Sequence, residues 1–156
     1  MSVMLIPIDD DTRSDASRLK VRKDQERFVD SNDESLLERD EALSDGLSVP
    51  CFLIEEDGVP AGFAMLSYGR AEEGIPAEAD IWYLWRFMID ERFQGRGIGK
   101  KALELILRYI SESGRDGASV WVSYERDNQI ARSLYSRAGF RETGDVSEGE
   151  LLAVLE

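Results

Sequence analysis

Gln94, Gly95, Arg96, Gly97, Ile98 and Gly99 stand in one run, followed at once by Lys100 and Lys101. Glycines at alternate positions let a backbone turn tightly with amide N–H groups aimed inward, and a helix starting there adds the positive end of its dipole. Such a run is a socket for a pyrophosphate. Its spacing is not the dinucleotide fingerprint G-x-G-x-x-G, because Gly95, Gly97 and Gly99 are evenly spaced. Nor is it a P-loop, which needs Gly-Lys-Ser/Thr where this chain has Gly99-Lys100-Lys101. An ordinary strand-to-helix turn could use the same residues, so a second signal is needed.

That signal is Ser123-Tyr124-Glu125-Arg126-Asp127-Asn128, then Ile130, Ala131, Leu134 and Tyr135, then Gly139-Phe140. Asp127 or Asn128 can cap a helix here, Ile130, Leu134 and Tyr135 share a face, and Gly139 can take the left-handed stop. Tyr135, protonated at neutral pH, could donate a proton or simply pack beside Leu134. Arg92, Arg96, Lys100 and Lys101 form the basic cluster of an otherwise acidic chain. Arg96 and Lys100 are the choices for phosphate contact, against the alternative of a solvated helix start.

To position these groups a strand must end before the glycine run and a helix must begin in it. Residues 80–89 read as that strand, the fourth, and 97–113 as that helix. Upstream, 3–8 reads as a strand, 9–15 offers capping carboxylates for a helix carrying Ala16 and Leu19, and 34–44 reads as a helix. Leu36, Leu37 and Leu43 are its apolar stripe and Gly46 its stop. Strands over 51–54 and 59–68 flank Glu55-Glu56-Asp57-Gly58, where Asp-Gly favours a hairpin. A polar connection with Gly74 and Pro76 spans 71–79; then come a fifth strand over 118–124, a helix over 128–138, and closing strands over 140–144 and 150–155. This order is an α+β or α/β mixture with a mixed sheet, expected as one domain over residues 1–156.

Bulk composition narrows the function. A hydrophobic content of 42% with 33% charged residues suits a soluble globular protein. No apolar run is long enough for a bilayer, and residues 1–8 lack a basic n-region, so a cytoplasmic address is expected. One cysteine, Cys51, and no histidine exclude a disulfide framework and a zinc pattern, and no metal is expected. Proton transfer must then use carboxylates, tyrosine, lysine or water. A net charge of −13 disfavours nucleic acid and anionic membranes and favours a small cationic amine, although solubility alone would select the same charge. The sequence admits a homodimer without fixing the oligomeric state.

Gln94, Gly97 and Gly99, with Gly95 and Arg96 in the variable places, resemble the Gln/Arg-x-x-Gly-x-Gly/Ala signature of the GNAT family of N-acetyltransferases. The block from Asn128 through Tyr135 to Gly139-Phe140 resembles that family's second conserved block. The resemblance implies a single-domain GNAT-like fold, with a twisted, mostly antiparallel mixed sheet of about six or seven strands flanked by about four helices. It also implies acetyl-CoA as co-substrate, its pyrophosphate on Gln94, Gly95, Arg96, Gly97, Ile98, Gly99 and Lys100 and its pantetheine arm along Phe87, Met88 and Ile89. Asn128 and Tyr135 complete the cofactor site, with Tyr135 as proton donor to the departing thiolate.

Tyr83-Leu84-Trp85-Arg86-Phe87-Met88-Ile89-Asp90 resembles the diamine and spermine/spermidine branch, as do Gln25, Phe28, Val29, Asn32, Ser35 and Leu36 nearer the N-terminus. That implies a primary amine of a small polyamine attacking directly in a ternary complex, with Phe28, Glu34 and Trp85 as substrate-binding residues. Asp30, Asp33, Glu34 and Glu38 could hold ammonium ends beside Phe28, Trp82 and Trp85, or form a solvated helix face. Where this branch often carries a Glu after Tyr-Leu, this chain has Trp85, and Ser123 stands where other members carry a Glu base. Deprotonation is therefore expected through water, with Glu34 or Asp80 holding the cation. Nothing near Cys51 would activate it for a ping-pong route. Acetylation of a protein or peptide amine and a non-catalytic coenzyme A-binding module are the competing readings.

Overall fold

Residues 2–69, 74–75, 81–115 and 118–156 are described by the computed structural model. Asp80 and most of the connection over 71–79 lie outside them. The elements in chain order are β1 (Val3–Pro7), α1 (Asp10–Ser17), α2 (Asn32–Ser44), β2 (Cys51–Glu56), β3 (Val59–Tyr68), β4 (Ile81–Ile89), α3 (Ile98–Ser111), β5 (Ser119–Tyr124), α4 (Gln129–Arg137), β6 (Arg141–Ser147) and β7 (Glu150–Leu155). Short 3₁₀ turns at Lys23–Gln25 and Glu91–Phe93 join them. The strands form one sheet in the order β1-β2-β3-β4-β5-β7-β6, antiparallel except between β4 and β5.

Local chemistry accounts for the boundaries. Asp57 and Gly58 both have positive φ, 49° and 83°, which is the two-residue turn whose twist suits the β2–β3 hairpin. Asp9 caps α1 in a reciprocal box with Thr12, and Ser31 caps α2 through the amide of Glu34. Asn128, not Asp127, caps α4, its Oδ1 accepting from the Ala131 amide at 3.3 Å, while Asp127 pairs with Arg27. Gly139 at φ 102° ends that helix in the left-handed region.

One expectation fails. Leu37 and Leu43 are 65% and 43% exposed, and the inward face of α2 is Asn32, Ser35, Leu36 and Ala42. At about 100° per residue Leu37 falls on the side of the helix away from that face, and Leu43 stands in the last turn. The polar members of that face are satisfied locally: Asn32 Nδ2 donates to the Ala16 carbonyl at 2.8 Å, and Ser35 Oγ to the Ser31 carbonyl at 3.1 Å. The helix also begins earlier than expected, at Asn32, because Ser31 supplies the cap.

The two larger apolar clusters lie on opposite faces of the sheet, and a third gathers Ile81, Tyr83, Trp121 and Leu152. Of the larger two, one packs α3 and α4 against the strands through Leu103, Ile106, Tyr135, Trp82 and Leu84; the other packs α1 and α2 through Ala16, Leu36, Phe63 and Met88. Among the described residues no helix is long and apolar enough to cross a membrane.

Asp90 fixes the end of β4. Only 2% exposed, it accepts from the amides of Lys20 at 2.9 Å and Arg92 at 3.0 Å and from Arg92 Nε at 2.8 Å. Burial pushes its carboxyl up, but the Arg92 guanidinium and the two amides outweigh that and hold it below the usual carboxylate range. A depressed folded value gives a stabilisation that is complete above the unfolded value of about 3.9 and is lost as pH falls through the folded one. Asp90→Asn is expected to cost about 1–3 kcal/mol in urea unfolding at pH 7. The gap between native and variant should close as the same measurement is taken below about pH 4.

Candidate active site

The strands β4 and β5 separate to make the site. They pair only at Ile81↔Ser119, Trp82↔Val120 and Tyr83↔Trp121, so from Leu84 onward the edge of β4 that faces β5 has no neighbouring strand. A bulge lies where they part: β3 pairs Met65 with Arg86 but Leu66 with Leu84, leaving Trp85 as the extra residue. The bulge reverses the alternation of β4. Trp82 and Leu84 belong to the core under α3, and beyond the bulge Phe87 and Ile89 pack on that same core while Met88 joins the opposite one.

A cavity of about 820 Å³ opens between the end of β4, the start of α3 and α4. Phe87, Met88, Ile89, Gln94, Gly95, Gly97, Ile98, Gly99, Lys100, Asn128 and Tyr135 all line it. Gly95 and Gly97 have φ of 76° and 82°, values that favour glycine, whereas Gly99 is helical and a Cβ there would meet Ile89 at an ordinary 3.7 Å. Only two of the three glycines are therefore demanded by the backbone. No side chain caps α3, and its first turn closes with the Lys101 amide on the Gly97 carbonyl at 3.2 Å. The preceding amides of Ile98, Gly99 and Lys100 have no acceptor within the helix, and this mouth of N–H groups fits a phosphate.

Two predicted residues are committed elsewhere. Gln94 Nε2 donates to the Ile89 carbonyl at 2.9 Å and to Gln25 Oε1 at 2.8 Å, and Gln25 returns a bond at 3.1 Å, so the Gln94 amide ties the loop down. Arg96 does not line the cavity; its guanidinium pairs with Glu56 at the end of β2 and lies over Phe93. Arg92 is likewise held by Asp90. Lys100 is the member of the predicted basic cluster on the cavity wall, joined there by Arg22 and Arg137, which no motif marked.

A second cavity, of about 530 Å³, adjoins the first, and Phe28, Phe87, Asn128 and Tyr135 line both. Trp85 lines it too. Glu34 does not: it is exposed on α2, turned away from the Asn32, Ser35 and Leu36 face, and lines neither cavity. Asp33 accepts from Ser17 Oγ at 2.6 Å. Asp30 and Glu38 do reach the cavity, where Arg86 Nη2 holds them at 2.7 and 3.0 Å. Glu26, Glu125, Glu148 and Glu150 join them, giving, among the described residues, six carboxylates against the two guanidiniums of Arg27 and Arg86. Their positions in the chain carry no periodic signal, because Glu38 comes from α2, Glu150 from β7 and the others from turns and loops.

Tyr135, 5% exposed, stands where the cavities meet. Its ring stacks on Tyr124 at 5.7 Å between centroids and meets Phe140 edge-on at 5.4 Å. Burial, then the neighbouring Tyr124 and Tyr83, push its phenol above the ordinary value, so it stays protonated at neutral pH. Packing and proton donation thus coexist in one residue. Ile130, expected on its face, is 61% exposed at the rim of the larger cavity.

The model of the acetyltransferase (GNAT) family matches residues 14–140. The chain belongs to the GNAT family. It is an N-acetyltransferase with acetyl-CoA as co-substrate, and its sheet and helices are those of the GNAT fold. It is 31% identical over 157 residues to the spermine/spermidine N(1)-acetyltransferase of Bacillus subtilis (strain 168), covering 100% of this chain and 99% of the relative. A probable spermine N(1)-acetyltransferase of Bacillus subtilis subsp. natto (strain BEST195) is 29% identical with the same coverage. Among solved structures, the aminoglycoside acetyltransferase AAC(6')-Ib in complex with coenzyme A superposes with a TM-score of 0.77 at 17% identity, over 99% of this chain and 94% of that one. The ribosomal L7/L12 alpha-N-protein acetyltransferase RimL in complex with coenzyme A gives 0.66 at 20% identity, with coverage of 99% and 94%. At such identities these likenesses show the fold.

Within this GNAT chain Cys51 is 3% exposed and packed in the α1–α2 core, and burial pushes its thiol up to about 12. A thiol so protonated is a poor nucleophile near neutrality. Cys51→Ala is expected to keep the native kcat for acetyl transfer, and iodoacetamide should leave the folded protein unmodified at pH 8, read by intact mass.

Proposed function

We propose that the chain transfers the acetyl group of acetyl-CoA to a primary amine of a small polyamine or diamine, by direct attack with both substrates bound. The observation that carries this reading is the meeting of two unlike cavities at Tyr135, one at an uncapped helix mouth and one lined by carboxylates. The likeness to a spermine/spermidine N(1)-acetyltransferase over the whole chain supports the same substrate class.

In this reading the amides of the Gly95 to Lys100 stretch hold the pyrophosphate, and Lys100, Arg22 and Arg137 neutralise phosphate charge. Gln94 acts by fixing the loop, and Arg96 contributes through its main chain while Glu56 holds its guanidinium. The open edge of β4 at Phe87, Met88 and Ile89 takes the pantetheine amides as an added strand would. Asn128 fixes the start of α4 beside them. Acetyl-CoA supplies an activated thioester carbonyl. Phe28 and Trp85 wall the methylenes of the amine, and the carboxylates around Arg86 attract its ammonium ends. Tyr135 gives its hydroxyl proton to the departing sulfur.

The test is thiol release with spermine, spermidine, putrescine, N-terminal peptides and aminoglycosides, with products identified by mass. The polyamines are expected to show the highest kcat/KM, and the KM for them should rise with salt as the acidic cavity is screened. A peptide or an aminoglycoside preferred over every polyamine would refute the assignment.

A further inference from the structure

Tyr83, Ser123 and Glu150 come from β4, β5 and β7, and all three line the acidic cavity beside Tyr135. The Tyr83 hydroxyl lies 2.5 Å from Ser123 Oγ, which lies 2.9 Å from Glu150 Oε1. An ionised carboxylate only accepts, so the single hydroxyl proton of Ser123 goes to Glu150 and Tyr83 must donate to Ser123. The chain of donors therefore has one direction, from the phenol through the serine to the acid. Its phenol end is close enough to Tyr135 to raise the latter's titration. Other acids of the cavity have different employment: Asp30 and Glu38 pair with Arg86.

We propose that Glu150 is the terminal proton acceptor for the acceptor amine, reached through Tyr83 and Ser123 as a hydrogen-bonded relay. The inference rests on the amine-acetylation reading above. An ammonium proton passes to Tyr83 Oη, the Tyr83 proton to Ser123 Oγ, and the Ser123 proton to Glu150 Oε1, which becomes a carboxylic acid. The freed nitrogen lone pair forms the C–N bond as the C–S bond breaks. The second nitrogen proton replaces the one Tyr135 gives to sulfur, and Glu150 releases its own to solvent. Ammonium and thioester thus yield amide, thiol and one proton.

The surroundings of Glu150 suit the task. Burial pushes its carboxyl up, with Glu125 at the end of β5 and Glu148 in the β6–β7 turn adding to the effect, while the Ser123 bond and Arg86 on β4 oppose it. The net direction is upward, toward the range in which a general base accepts a proton most effectively near neutral pH.

The experiment is the pH profile of kcat/KM for spermidine with saturating acetyl-CoA, on native protein, Glu150→Gln, Glu150→Asp and Ser123→Ala. Glu150→Gln is expected to lose about 10²-fold in kcat near pH 7 and to lose the acid-side ionisation from its profile, since no carboxyl remains to be protonated. Glu150→Asp should restore part of the rate and the ionisation, and Ser123→Ala should lower kcat less while keeping it. An unchanged KM for acetyl-CoA shows that a variant is folded; should Glu150→Gln not fold, Ser123→Ala decides, and native kcat there overturns the relay. A native kcat and profile in Glu150→Gln, or a loss confined to the KM for spermidine, also overturns it. Turnover of no amine in the panel by native protein would remove the substrate reading and the relay together, whereas turnover indifferent to Glu150 removes the relay alone.

Discussion

Tyr135→Phe is expected to turn over about 10²-fold more slowly than the native protein at pH 7, with coenzyme A affinity and thermal stability little changed. The substitution removes one oxygen and one proton and leaves the ring on Tyr124 and against Phe140. Tyr135 lines both cavities, and its raised titration keeps the hydroxyl proton in place over the working pH range. A thiolate leaves fairly well unaided, since its conjugate acid has a pKa of about 8.5, so the low end of the usual acid-catalysis range applies. Steady-state thiol release gives kcat and calorimetry gives the coenzyme A affinity. A variant with the native kcat would reduce Tyr135 to a packing residue.

Trp82→Ala is expected to cost about 3–5 kcal/mol of stability. Trp82 is 1% exposed and stands in β4 at the last stretch where β4 still pairs with β5, opposite Val120. Its ring meets Tyr68 at 5.2 Å and Tyr109 at 6.2 Å, and the Arg115 guanidinium lies 5.2 Å away. Truncation leaves a void between the sheet and α3 that the seven-stranded sheet cannot collapse to fill. The melting temperature should fall by about 6–20 °C, taking 2–4 °C per kcal/mol for a domain of this size. Calorimetric melting checks it, and a loss below about 1 kcal/mol would show that the indole is not a keystone of this core.

The two conserved-looking blocks were legible because their chemistry is local. A left-handed Gly95 and Gly97, an Asn128 cap, a Gly139 stop and an Asp57-Gly58 turn are each fixed by residues within a few positions of one another. The core side of β4 was harder. Plain alternation groups Trp82 with Met88, but the extra residue at Trp85 reverses the parity and brings Phe87 and Ile89 under α3 instead. No pattern in an isolated strand announces a bulge, because the bulge is a relation between two strands.

Side-chain partners were least legible. Arg96 reads as a phosphate ligand beside the glycine loop, yet the end of β2 brings Glu56 within reach and takes its guanidinium. Glu34 reads as an amine anchor among neighbouring acids, yet α2 buries its Asn32, Ser35, Leu36 and Ala42 face and turns Glu34 outward. Glu150 attracts no notice in a closing strand until the β5–β7 register sets it beside Ser123.

By itself the sequence determined the family, the order of strands and helices, the glycine loop before α3 and the tyrosine of the second block, since each is written in contiguous residues with fixed spacing. Only the tertiary structure decided which carboxylates line the cavity beside Tyr135, which arginines are already paired, and which hydroxyls connect Tyr135's surroundings to Glu150. These depend on strand register, a bulge and a helix rotation, which bring together residues tens of positions apart, and the free energy of a buried charge is set by those neighbours rather than by its own place in the chain.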